Sequence, residues 1–103
     1  MKVVLKNVGK EPVITDLKKD IFNCICTHSV IEIDKFQGLY LYVEKNAEDK
    51  NFKIKHMDRC IKGDCFLVKM SKNGTFEDVT ENELELMKNI VANNISEICK
   101  MLK

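Results

Sequence analysis

Metal binding and nucleophilic attack would fall first to the cysteines and histidines. Cys24 and Cys26 stand two residues apart in a stretch whose apolar spacing predicts a helix, so their side chains point about 200° apart around its axis and do not easily grip one ion. Cys60 and Cys65 bracket Ile61-Lys62-Gly63-Asp64, a spacer that a turn can close, and His56 precedes Cys60 by four residues. A structural zinc site needs a second pair at diagnostic spacing, which the chain lacks. A regulatory disulfide between Cys60 and Cys65, or two thiols acting as small hydrophobes, stay open as readings. Neither of the two histidines sits in a nucleophile–base motif, and the four glycines form no phosphate loop. The expectation is binding rather than catalysis, with no cofactor.

Charge supplies the candidate binding residues. Lys53, Lys55, Arg59, Lys62, Lys69 and Lys72 make the densest basic stretch, opposed only by Asp58 and Asp64. Such a run is either a solvated face or an anion or nucleotide site, and the first four residues are the candidate pocket. Tyr40 and Tyr42 alternate with Leu39, Leu41 and Val43, so a strand here puts the tyrosines on one face and the aliphatics on the other. If the aliphatic set is core, the paired tyrosines are exposed interface candidates.

The net charge of +1 disfavours a dedicated nucleic-acid binder, because such domains carry strongly basic faces. The total hides a mild dipole. Residues 1–72 hold 14 Lys and Arg against 10 Asp and Glu, while residues 73–103 hold 3 against 6.

A chain of 103 residues, 45% hydrophobic and 32% charged, has the balance of a folded protein and room for one core, so residues 1–103 are expected to form a single domain. No apolar run approaches the roughly 18 residues of a membrane span, and Met1 to Lys10 does not read as a signal peptide. Five cysteines, an odd number, suit reduced thiols and a cytoplasmic setting.

The elements that must position these residues follow from periodicity. Lys2–Val8 and Pro12–Leu17 alternate as strands around Gly9-Lys10-Glu11-Pro12 and predict an antiparallel hairpin. Ile21, Cys24 and Ile25 recur at helical spacing and predict a short helix over about 18–29, with His28 near its end. Val30–Ile33 and Gly38–Val43 read as strands, Glu44–Asn51 as a charged loop, and Phe52–Lys55 as a resumed strand. Cys65–Met70 and Thr75–Val79 read as a hairpin around Asn73-Gly74.

Thr80-Glu81-Asn82-Glu83 is a capping box, in which the Thr80 hydroxyl is expected to accept from the Glu83 amide while the Glu83 carboxylate reaches back to the Thr80 amide. Val79 and Leu84 occupy the positions of a hydrophobic staple. The helix that starts there can run about 24 residues, roughly 36 Å, with Leu84, Met87, Val91, Ile95, Ile98 and Leu102 in one stripe. Leu86, Ile90, Cys99 and Met101 widen that stripe, which leaves surface either for the chain's own sheet or for a homodimer through this C-terminal helix. The expected fold is α+β: an antiparallel sheet of about five to six strands, a short helix after the first hairpin, and a long C-terminal helix packed on the sheet.

Two stretches carry a family resemblance: KVVLKNVGKEP at Lys2–Pro12, and RCIKGDCFLV at Arg59–Val68 followed by GTFEDVTENE at Gly74–Glu83. Together they resemble the domain-of-unknown-function family numbered 3846, small domains of phages and mobile elements of Gram-positive bacteria. The resemblance covers about half the chain, with Lys10, Glu11, Pro12, Arg59, Gly63 and Asp64 as matching positions. Where the family tends to show Gly-Gly after the first helix this chain has Thr27-His28-Ser29, and where the family has Asn-Arg it has Asp58-Arg59. The resemblance implies an α+β fold and a phage setting in a bacterial host cytosol, and it brings no activity with it. The expected function is that of a stoichiometric inhibitor or sponge directed at a host defence protein or a small nucleotide ligand. A nucleic-acid-binding regulator and a structural protein–protein interaction domain are the alternatives.

Overall fold

A computed structural model of the chain describes residues 1–17, 27–54 and 57–101, with side chains of the last helix described as far as Ala92. Strands β1 (Lys2–Lys6), β2 (Val13–Asp16), β3 (His28–Asp34), β4 (Leu39–Glu44) and β7 (Cys65–Met70) form one antiparallel sheet in the order β2-β1-β7-β4-β3. The two-residue strand β8 (Phe76–Glu77) pairs with the end of β7. Strands β5 (Lys50–Ile54) and β6 (Arg59–Lys62) pair separately as a hairpin, and helix α1 spans Glu81–Met101.

Alternation divides the sheet into two apolar faces. Val4, Ile31, Leu39, Leu41, Val43, Cys65 and Leu67 are buried on one side together with Phe52, Ile54 and Ile61 of the β5–β6 hairpin and Met87 of α1. Leu84, Ile90 and Val91 pack against that cluster, so the helix contributes a stripe at three- and four-residue spacing. Each fully buried Leu or Ile side chain stabilises by about 1.5–3 kcal/mol relative to exposure. On the opposite face Val3, Tyr42, Phe66 and Val68 form a second buried cluster, with Leu5, Tyr40 and Phe76 beside it.

The α+β class, the antiparallel sheet and the C-terminal helix agree with the sequence. Residues 18–26, most of the expected short helix, lie outside the described residues. Its expected end is different: Thr27 is in a turn, and His28 and Ser29 belong to β3, opposite Glu44 and Val43 of β4. Pairing with a neighbouring strand outweighs local helical spacing there. The imidazole of His28 accordingly lies 5.5 Å from the Phe66 ring rather than at a helix end.

Two further differences concern short strands. Ile61 and Lys62, the first half of the expected Ile61–Asp64 spacer, belong to strand β6 (Arg59–Lys62), in which Ile61 is the inward anchor while Cys60 and Lys62 are exposed. The return strand after Asn73-Gly74 stops at Glu77, because Asp78 turns to accept from the Lys2 amide at 2.8 Å and Val79 donates its amide to the Lys2 carbonyl at 3.1 Å.

The start of α1 is capped, with one exchange of partners. The Glu83 carboxylate accepts from the Thr80 amide at 3.0 Å, as the capping box requires. The Thr80 hydroxyl, however, donates to that carboxylate and accepts from the Asn82 amide, while the Glu83 amide donates to the Thr80 carbonyl. Lys69 of β7 adds an ion pair to the buried Glu83 at 3.3 Å, fastening the helix start to the sheet.

Candidate functional site

β1 places Lys6 two residues after Val4, and period-two alternation therefore aims both at the face covered by the β5–β6 hairpin and α1. Lys6 is only 5% exposed. Its ammonium donates to the Asn7 carbonyl at 2.9 Å and to Asn51 Oδ1 at 2.8 Å. The Asn51 carboxamide answers with Nδ2 donating to the carbonyls of Lys6 and Gly63, both at 2.9 Å. β1, β5 and the turn between β6 and β7 are thus joined at one side chain.

Among the described residues no carboxylate lies within ion-pair distance of Lys6. Burial lowers its pKa below the ordinary 10.5, against the opposing pull of Cys65 and Asp64. The neighbouring Cys65 thiol, buried and donating weakly to the Lys6 carbonyl at 3.7 Å, is pushed by burial up to about 12. It is a packing residue and not a nucleophile at neutral pH.

Lys6 and Asn51 line a cleft of about 550 Å³ between the β1–β2 loop, β5 and α1. Lys10, Lys53 and Lys88 bring three more cations to it, against Glu11 alone. Pro12, Phe52, Val91 and Ala92 supply an apolar part. The cleft has the size and the mixture of apolar surface with a few convergent charges that suits a small ligand.

The six positions matching the family resemblance take up distinct places. Lys10, Glu11 and Pro12 line the cleft. Gly63 and Asp64 support it from behind: the Gly63 carbonyl receives Asn51, and Asp64 Oδ1 accepts from the Val8 amide at 2.9 Å, holding the β1–β2 loop. Gly63 has φ +78, and a Cβ there would lie 2.5 Å from that of Ala47. Asp58 has φ 47, a left-handed conformation that Asp tolerates. Its carboxylate pairs with Lys53 at 2.8 Å, which lowers its pKa.

The basic set Lys53, Lys55, Arg59 and Lys62 does not assemble as one pocket among the described residues. Lys53 lines the cleft, whereas Arg59 and Lys62 line a separate groove of about 360 Å³ with Lys45 and Glu44. Lys55 and His56 lie outside the described residues. Cys60 is exposed on β6 while Cys65 is buried, and both are free thiols. Among the described residues no group of three potential metal ligands forms.

The tyrosines correct the expectation of an exposed pair. Tyr42 is 6% exposed and stacks on Phe66, ring centres 5.2 Å apart, and Tyr40 is half-buried beside it. The second face of the sheet has its own apolar cluster, so both faces are core. Tyr40 instead lines a groove of about 460 Å³ at the β3–β4 turn. The exposed aromatic there is Phe36, 96% exposed. Its turn is fixed by Asp34, which accepts from the amides of Phe36 and Gln37 and from Gln37 Nε2.

Lys6, Asn51, Lys88 and Phe36 are the residues that sequence reasoning missed. A signal existed for Lys6, a cation on the same strand parity as Val4. Nothing local marks Asn51 or Lys88, whose roles arise from long-range packing. Among the described residues no helix is long and apolar enough to cross a membrane. No family model, no curated protein and no solved structure matches the chain.

Proposed function

We propose that the chain is a small non-enzymatic binding protein of phage or mobile-element type. It acts stoichiometrically in a bacterial host cytosol, as an inhibitor occupying a host defence protein or as a sponge for a nucleotide signal. The cleft floored by Lys6 is its binding place. The observation that carries this reading is the buried Lys6 ammonium, held by a carbonyl and a neutral carboxamide with no carboxylate in ion-pair distance among the described residues. Holding a cation on neutral acceptors inside the protein is costly for stability alone, and an arriving anion offsets that cost.

Phe36 supports a second reading, in which a protein partner docks at the β3–β4 turn. A fully exposed aromatic on a turn fixed by three hydrogen bonds to Asp34 is presented with little ordering entropy left to lose. A nucleic-acid-binding regulator is disfavoured by the net charge of +1. A homodimer through the C-terminal helix is a further proposal, supported by the breadth of that helix's apolar sequence pattern.

Native mass spectrometry of the protein purified from cells, alone and mixed with host lysate, tests the proposal. A one-to-one adduct lost in a Lys10→Glu, Lys88→Glu double variant supports the cleft. An adduct retained in that variant and lost in Phe36→Ala transfers the function to the turn. The same spectra read the oligomeric state.

A further inference from the structure

The geometry points to a phosphate-bearing ligand of nucleotide size in the cleft, its phosphate seated on Lys6 and its planar group lying against the apolar wall at Val91 and Ala92. This rests on the reading of the cleft as the binding place and names what it takes. Three features of the cleft combine to give the class.

Lys6 spends two of its three ammonium hydrogens on Asn7 and Asn51, which leaves one donor for a ligand oxygen. Lys10, Lys53 and Lys88 converge on the same space, giving it four cations against Glu11. Lys53 already carries Asp58, and Lys88 lies 3.7 Å from Glu85, so both sit within local charge pairs that a more highly charged group must outcompete. With Glu11, Asp58 and Glu85 set against the four lysines the local excess is small, so the choice of phosphate rests on geometry: its oxygens point in several directions and can meet lysines carried by β1, the β1–β2 loop, β5 and α1, which the two oxygens of a carboxylate do not.

Apart from Asn51 the remainder of the lining is apolar, with Pro12, Phe52, Val91 and Ala92 beside the charged end. Inorganic phosphate alone would leave that surface wet. A ligand with phosphate at one end and a flat, weakly polar group at the other satisfies both halves, and a cleft of about 550 Å³ accommodates a mononucleotide or a compact dinucleotide.

The test is isothermal titration of the full chain with ADP, a cyclic dinucleotide, pyrophosphate, adenosine and decathymidylate. At least one of the two nucleotides is expected to bind one-to-one, at least tenfold more tightly than pyrophosphate or adenosine. Lys6→Met is expected to weaken that binding tenfold or more. Lys88→Glu, an exposed change on α1 that leaves the core untouched, is expected to weaken it severalfold and serves if Lys6→Met misfolds. Absence of nucleotide binding, nucleotide affinity unchanged in both variants, or tighter binding of decathymidylate than of either nucleotide each overturns the ligand class. If nucleotides fail but the cleft variants still lose the adduct seen by native mass spectrometry, the ligand class falls and the cleft reading stands. If the adduct survives those variants, the cleft reading falls as well.

Discussion

Lys6 and Asn51 hold each other reciprocally: the ammonium donates to the carboxamide oxygen at 2.8 Å, and the carboxamide nitrogen donates to the Lys6 carbonyl at 2.9 Å. Forty-five residues apart in sequence, they bring β1 and β5 together under the cleft and hold the ammonium on neutral acceptors. The arrangement suits a cation kept available, since a structural ion pair would place a carboxylate where Asn51 stands.

Asn51→Asp tests that distinction. The new carboxylate gives Lys6 a counter-ion but loses the donors to the Lys6 and Gly63 carbonyls. Anion binding is expected to fall tenfold or more while the fold survives. Asn51→Ala, which strands all three partners, is expected to destabilise by about 2–3 kcal/mol in chemical denaturation.

The linkage of Lys6 has a definite sign. Its folded pKa is lowered by burial, so the folded state binds its proton less tightly than the unfolded chain does. The resulting penalty is fully present below the folded pKa and disappears as pH rises through it toward the unfolded value. Lys6→Met removes the penalty together with the two hydrogen bonds, so its stability at pH 7 is expected within about 1 kcal/mol of the wild type. Denaturation of both proteins against pH should show the wild type gaining relative to the variant at alkaline pH.

Glu83 has the opposite sign. Burial acts to raise its pKa, but hydrogen bonds from the Thr80 amide and hydroxyl and from Lys69 outweigh it and leave it lowered. Its contribution is present above the ordinary carboxylate pKa and lost as pH falls through the folded value. Glu83→Gln is expected to cost about 1–2 kcal/mol at pH 7, and thermal melts should show that difference narrowing in acid.

The outline of the fold was legible in the sequence because it rests on local rules. Alternation gave β1, β4 and β7, Asn73-Gly74 the hairpin between β7 and β8, and Thr80 with Glu83 the start of α1. The site was legible only in part. The sequence candidates Lys53, Lys10, Glu11 and Pro12 lie in the cleft, but Arg59 and Lys62 belong elsewhere, since strand pairing turns neighbours in a charge run to different surfaces. The burial of Tyr42 is not legible locally, because period-two alternation divides a strand into two faces without saying whether the second is covered.

Thiol reactivity should separate the two cysteines that bracket Gly63. Cys60 is exposed and Cys65 is buried with its pKa near 12. Brief alkylation of the native protein followed by peptide mass spectrometry is expected to modify Cys60 and spare Cys65 until denaturant is added. A Cys60–Cys65 disulfide in the purified protein would contradict the placement of these side chains.

Gly63→Ala should disturb the support of the cleft. The left-handed φ of +78 and the approach to Ala47 predict a loss of about 1–3 kcal/mol, read by chemical denaturation.

The most direct measurement is a proton–nitrogen NMR titration of the native chain with the nucleotide that binds best, mapping amide shifts onto the sequence. The expected result is saturable change confined to residues 6–12, 51–53 and 88–92, the three segments that meet at Lys6. Changes centred on residues 35–38 and 69–74, around Phe36, or no saturable change with any nucleotide, would contradict the account.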